Sequence, residues 1–227
     1  ITSQPTPSQT VCSGSNVTFS VAATGTGLTY QWRKGSTNLI NGGNISGADS
    51  PTLTITNAQP SDAAADYNVV VSGTAPCSSV TSDNAVLVVN QVVAITTQPA
   101  VSQTICSGST VNFSVAATGT GLSYQWRKGT TNLTDGGNIT GATTATLTIS
   151  NAQTTDAAAD YNVIVTGTAP CNPVPSDNAA LVVNETVVIT AQPITPQTVC
   201  SGENVTFSIA ATGTGLTYQW RKGSTNL

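Results

Sequence analysis

Apolar and polar residues alternate along short stretches of this chain rather than recurring at helical spacing. Val17, Phe19, Val21 and Ala23 occupy every second position of residues 17–23, so an extended backbone turns all four toward one face. Tyr30 and Trp32 alternate with Gln31 and Arg33 within residues 27–35, and residues 52–56 (TLTIT) keep the same period. Residues 67–73 and 84–90, rich in valine, read as two further strands. Pro5 and Pro7 in residues 1–11 cannot donate to a central ladder, so that segment is an edge strand or its bends. The Gly- and Asn-rich stretch 34–51, the corner 57–66 and the loop 74–79 read as turns with short edge strands. Together these give about seven strands and no helix longer than a turn in the first repeat.

The whole pattern returns with a period of 94 residues. GLTYQWRKG at 27–35 becomes GLSYQWRKG at 121–129 and GLTYQWRKG again at 215–223, so that Trp32, Trp126 and Trp220, the only tryptophans, are evenly spaced. Ile1, Ile95 and Ile189 share one register. A period near 100 residues is that of a self-sufficient domain with its own core, longer than a solenoid repeat. The expected domains are residues 1–91, residues 92–185, and residues 186–227 as the first half of a third. Half a domain cannot bury a core, and no signal peptide precedes Ile1, so the natural chain is expected to extend in both directions. The linkers NQVVA (90–94) and NETVV (184–188) are short and lack Gly and Ser, which implies tight coupling of neighbours.

Charge and composition narrow the chemistry. Only 7% of residues are charged, and the six basic ones fall as the pairs 33/34, 127/128 and 221/222. No basic face for nucleic acid can be assembled from these. The longest apolar runs are too short to span a bilayer. Without a histidine, Ser-His and Cys-His nucleophiles are excluded, no catalytic residue is assigned and the chain reads as a non-enzyme. Asp62 and Asp66, repeated as Asp156 and Asp160, read as turn capping rather than paired catalytic carboxylates. With Asp83 they are sparse for calcium and form no DxDxDG loop, so no metal ligands and no cofactor are assigned, calcium being the one ion left open. Lys34 is placed to reach Asp62 or Asp66, while Arg33 faces solvent. The sequons at Asn16, Asn44 and Asn138 read as by-products of an Asn- and Thr-rich composition. Five cysteines, at 12, 77, 106, 171 and 200, fall two to a repeat without a CxxC pair. They indicate disulfides and an oxidising, extracellular or cell-surface setting.

Trp32 on the third strand, eleven residues after Val21, and Tyr67 at a corner, two residues before Val69, resemble the hallmarks of the immunoglobulin fold. The resemblance implies an all-β chain of tandem immunoglobulin-like β-sandwich domains, head to tail. Its core would hold Trp32, Trp126, Trp220, Tyr67 and Tyr161, with Val21 and Val69 in the places of the usual intersheet cysteines. Asp62 departs from the family pattern, lying five residues before Tyr67 rather than four. In this topology Cys12 sits at the end where the chain leaves a domain and Cys77 at the end where it enters. At ~3.3 Å per residue that separates them by roughly 25 Å, against the roughly 4.4–6.8 Å a disulfide allows between Cα atoms. An interdomain Cys12–Cys171 bridge is therefore preferred, leaving Cys77, Cys106 and Cys200 to partners outside the chain. Cys12–Cys77 and Cys106–Cys171 within domains are the alternative.

The uninterrupted repeats and low charge are also similar to the immunoglobulin-like repeats of large surface adhesins of Bacteroidota secreted by the type 9 pathway. That resemblance implies a spacer or stalk in an extracellular filament. Its partners would be neighbouring repeats of the same chain and, in a filament, other copies, with exposed edge strands allowing lateral packing. The competing reading is an adhesin module that recognises glycan or protein. Its loops would be 40–51 with 134–145, and 78–81 with 172–175, where the two complete repeats differ.

Overall fold

Two prolines split the first predicted strand in two. Ser3 makes an isolated bridge to Ala22, the chain bends through Pro5 and Pro7, and strand β1 (Ser8–Cys12) then joins the opposite sheet. The computed structural model describes all 227 residues. They form two compact units, one of Ile1–Thr97 with Ala116–Ser123 and Ile164–Pro175, the other of Gln98–Val115, Tyr124–Val163 and Ser176–Leu227. Each is built on an immunoglobulin-like β-sandwich, and the helical turns are limited to 3-10 turns at Pro60–Asp62 and Thr154–Asp156.

The first repeat contributes β2 (Val17–Ser20), β3 (Thr29–Lys34), β4 (Thr37–Asn38), β5 (Ile45–Ser46), β6 (Thr52–Ile55), β7 (Ala64–Ser72), β8 (Val80–Thr81) and β9 (Ala85–Asn90). One sheet runs β1-β9-β7-β3-β4 with β8 beside β7, and the other runs β2-β6-β5. Pairing of β1 with β9 is parallel, Ser8 opposite Val86 through Cys12 opposite Asn90. All other pairings in this repeat are antiparallel, with Trp32 opposite Val69.

Period-2 alternation points Val17, Phe19, Leu53 and Ile55 of one sheet at Trp32, Tyr67, Val69 and Leu87 of the other, and all eight are buried. Phe19 stacks on Tyr67 at 5.4 Å between ring centroids and lies 6.4 Å from Trp32. The indole N–H of Trp32 donates to the Ser50 carbonyl at 2.9 Å, so its one polar atom is satisfied inside the core. Val21 and Val69 are both buried in this cluster. Each such side chain contributes about 1.5–3 kcal/mol by leaving water.

The second repeat supplies β10 (Ala94–Thr97), β11 (Ser102–Cys106), β12 (Val111–Ser114), β13 (Ala116–Thr118), β14 (Ser123–Lys128), β15 (Thr131–Asn132), β16 (Ile139–Thr140), β17 (Thr146–Ile149), β18 (Ala158–Thr166), β19 (Val174–Pro175) and β20 (Ala179–Asn184). Its sheets run β11-β20-β18-β14-β15 and β12-β17-β16. Phe113 stacks on Tyr161 at 5.3 Å, and Trp126 donates to the Thr144 carbonyl at 2.9 Å.

Residues 186–227 depart from the expectation of a third core indole. They hold only β21 (Val188–Ala191) paired with β22 (Ala210–Thr212), and β23 (Arg221–Lys222) paired with β24 (Thr225–Asn226). Trp220 is 41% exposed, because this stretch contains no counterparts of Leu53, Ile55, Tyr67 and Val69 to cover it.

Candidate functional site

Polar and covalent contacts concentrate where the first repeat ends. Cys12 closes β1 and Asn90 closes β9, in register with each other. Ser13 N–H donates to the Asn90 carbonyl at 2.8 Å. The Asn90 side chain, 5% exposed, donates from Nδ2 to the Ala169 carbonyl at 3.0 Å. Ala169 belongs to the loop between β18 and β19, and that loop also presents Cys171, which is bonded to Cys12 with the two Cα atoms 5.5 Å apart. The bridge joins positions 159 residues apart within the first compact unit. Cys77 and Cys106, which the within-repeat scheme would pair with Cys12 and Cys171, are exposed free thiols, as is Cys200.

The linker after Asn90 is seated rather than loose. Gln91 N–H donates to Thr120 Oγ1 at 2.8 Å, and Thr120 N–H returns a bond to the Gln91 carbonyl at 3.2 Å. Val92 N–H donates to Ser13 Oγ at 3.3 Å. Val93 is 7% exposed and lies where Gly119 and Gly167 leave room for it. A methyl group on Gly167 would fall 2.8 Å from Val93 Cγ2 and 3.2 Å from the Thr120 carbonyl oxygen, so a larger residue there would have to displace Val93. Beyond this seat β10 pairs with β13, Ala94 opposite Thr118. The sequence places Cys12 at the exit end of one repeat and Cys171 at the entry end of the next, but does not single out Asn90, Thr120 and the two glycines. Recurrence of Gly25, Gly73 and Thr26 at the same period was the available signal.

At the corner, the Tyr67 hydroxyl donates to the Asp62 main-chain carbonyl at 2.7 Å, and Tyr161 does the same to Asp156. Asp62 turns its carboxylate the other way, accepting from Gln59 N–H and Asn44 Nδ2, both at 2.8 Å. Five residues rather than four before the tyrosine thus suit a carbonyl acceptor and a capped 3-10 turn. Lys34 corrects the sequence expectation: its ammonium donates to the Ser61 carbonyl at 2.9 Å, not to Asp62 or Asp66, and lies 5.9 Å from the Tyr67 ring centre. Arg33 donates from Nε to Asn38 Oδ1 on the neighbouring strand. Burial, then the Asp62 and Asp66 charges, push the Tyr67 phenol from 10.0 up to about 12, and burial with Asp156 and Asp160 does likewise for Tyr161. The folded chain therefore keeps protons that the unfolded chain releases, so this contribution to stability is complete below pH 10 and is lost as pH rises toward 12. Unfolding free energy measured across that window is expected to fall more steeply for the parent than for a Tyr67→Phe, Tyr161→Phe variant. Equal slopes would contradict the assignment.

The loops that differ between repeats preserve one frame with different side chains. Asn41 Oδ1 accepts from Ala48 N–H in the first, and Asp135 Oδ1 accepts from Ala142 N–H in the second. No group of three or more acidic or cysteine side chains is gathered as a metal site. No helix is long and apolar enough to cross a membrane.

With this geometry in view, residues 1–72 match the immunoglobulin domain family and residues 95–185 match a domain family of unknown function (DUF8696). No curated protein sequence matches the chain. Among solved structures, an I-band fragment of titin is similar over 99% of this chain and 79% of its own, with a TM-score of 0.75 at 21% identity. Rst D1–D2 is similar over 80% of this chain and 97% of its own, at a TM-score of 0.60 and 19% identity. The insect immune protein hemolin matches over 81% of this chain and 48% of its own, at 0.55 and 16% identity. At such identities the likeness establishes the fold: tandem immunoglobulin-like modules.

Proposed function

We propose that the chain is a spacer segment, a run of modules in an extracellular filament or large surface adhesin that sets distance and resists extension. The single observation that carries this reading is the bond from Cys12 of the first repeat to Cys171 in a loop of the second. A recognition module needs its loops free, whereas here the loop between β18 and β19 is used to hold the preceding repeat. The seated linker, with Val93 against Gly119 and Gly167, supports the same reading. So does the unchanged 94-residue period, since reach then grows in proportion to copy number. The bridge favours an oxidising setting outside the cytosol. Likeness to the Bacteroidota surface adhesins supplies the proposed context.

The test is a binding screen of the intact oxidised chain against glycan and protein arrays. A spacer gives no saturable signal. Saturable binding that disappears when residues 40–51 or 134–145 are replaced by a Gly-Ser loop would overturn the reading in favour of a recognition module.

A further inference from the structure

The first repeat reproduces the frame of the seat that Val93 occupies. An open hollow of about 370 Å³ is lined by residues including Gly25, Thr26, Gly73, Thr74 and Cys77. Each stands 94 positions before a residue of the filled seat: Gly119, Thr120, Gly167, Thr168 and Cys171. The two frames are built alike. Thr74 N–H donates to the Thr26 carbonyl at 2.9 Å, and Thr168 N–H to the Thr120 carbonyl at 2.8 Å. Cys77 N–H donates to the Thr74 carbonyl at 3.3 Å, and Cys171 N–H to the Thr168 carbonyl at 3.2 Å. The hollow is thus already shaped, and what differs is cover: Cys77 is an exposed thiol, whereas Cys171 is bonded and 7% exposed.

We propose that this hollow receives the closing segment of another copy of the same repeat. That copy's Asn90–Val93 stretch lies in it, and its Cys12 bonds Cys77. The occupant is specified by the filled example. Its Gln91 N–H would meet Thr26 Oγ1 as it meets Thr120 Oγ1 at 2.8 Å. Its Val93 would lie over Gly73, since at Gly167 a methyl group would fall 2.8 Å from Val93 Cγ2. Apolar cover, one hydrogen bond to a threonine hydroxyl and one main-chain hydrogen bond orient the segment, and the bond between the two sulfurs, formed by loss of two protons and two electrons to an added glutathione disulfide, fixes it. This inference deepens the spacer reading and rests on it.

The experiment extends the full chain at its N-terminus with one more copy of residues 1–94, marked by Val11→Ile so that its Cys12 peptide differs in mass. After oxidation with glutathione disulfide, non-reducing peptide mapping is expected to link the marked Cys12 peptide to Cys77, and Cys77 is expected to lose its reactivity toward iodoacetamide. Placing Val93→Lys in the added copy, at a linker position outside its own sandwich, is expected to abolish that link and leave Cys12–Cys171 intact. Two outcomes overturn the seat alone: a free Cys77 in a chain whose Cys171 is bridged, or a link indifferent to Val93→Lys. Loss of both bridges overturns the spacer reading with it.

Discussion

Pulled between Ile1 and Leu227, the oxidised chain is expected to lengthen by roughly 525–570 Å less than its Cys12→Ser variant. The bond from Cys12 to Cys171 carries force past 159 positions of sequence, each of which would release ~3.3–3.6 Å if drawn straight. Only the segments before Cys12 and after Cys171 remain extensible. The buried residues around Trp32 all lie within the bypassed stretch, whereas β20, which buries Leu181 and Val183 in the second repeat, follows Cys171 and stays in the line of force. A string of unbridged modules yields by unfolding one at a time, whereas this arrangement withholds the length between Cys12 and Cys171 until a covalent bond is cut. Single-molecule force spectroscopy reads the difference directly as contour length, and dithiothreitol is expected to convert the parent record into that of the variant. A deficit of only roughly 215–235 Å, the length of the stretch from Cys12 to Cys77 at ~3.3–3.6 Å per residue, would mean within-repeat pairing and refute the bypass.

Trp32→Ala is expected to cost about 3–5 kcal/mol, as large-to-small changes at aromatic core positions do. Trp32 has no measurable exposure and touches both sheets, and its loss also removes the N–H partner of the Ser50 carbonyl. A domain holds only about 5–15 kcal/mol in all, so the change removes a large share of the first repeat's margin. Trp126→Ala is expected to act alike in the second repeat, where Trp126 is equally buried. Trp220→Ala in the same chain is expected to stay within about 0.5 kcal/mol, since that indole is 41% exposed. Urea unfolding followed by far-ultraviolet circular dichroism measures all three, and equal costs at Trp32 and Trp220 would contradict the assignment of cores.

Much of the sandwich was legible from alternation alone, because in a strand every second side chain shares a face. Val17, Phe19 and Trp32 announce their faces without reference to any partner. Partner choice was less accessible. Nothing local in Ser8–Cys12 specifies parallel pairing with Ala85–Asn90, which depends on a bend at Pro5 and Pro7 and on a strand some 78 positions away. Charge alone points Lys34 at carboxylates, yet the 3-10 turn at Pro60–Asp62 presents the Ser61 carbonyl, to which its ammonium donates. Asn90 reads as a polar end to a strand, and its burial follows only once the loop carrying Ala169 covers it. The third tryptophan has the same local sequence as the first. Its exposure depends on strands that the local pattern does not contain.

Peptide mapping of the oxidised, unreduced chain tests the central claim most directly. After iodoacetamide blocking and proteolysis without reductant, one linked pair is predicted, Cys12 with Cys171, while Cys77, Cys106 and Cys200 are recovered carbamidomethylated. Recovery of Cys12 linked to Cys77 and Cys106 linked to Cys171 would contradict it.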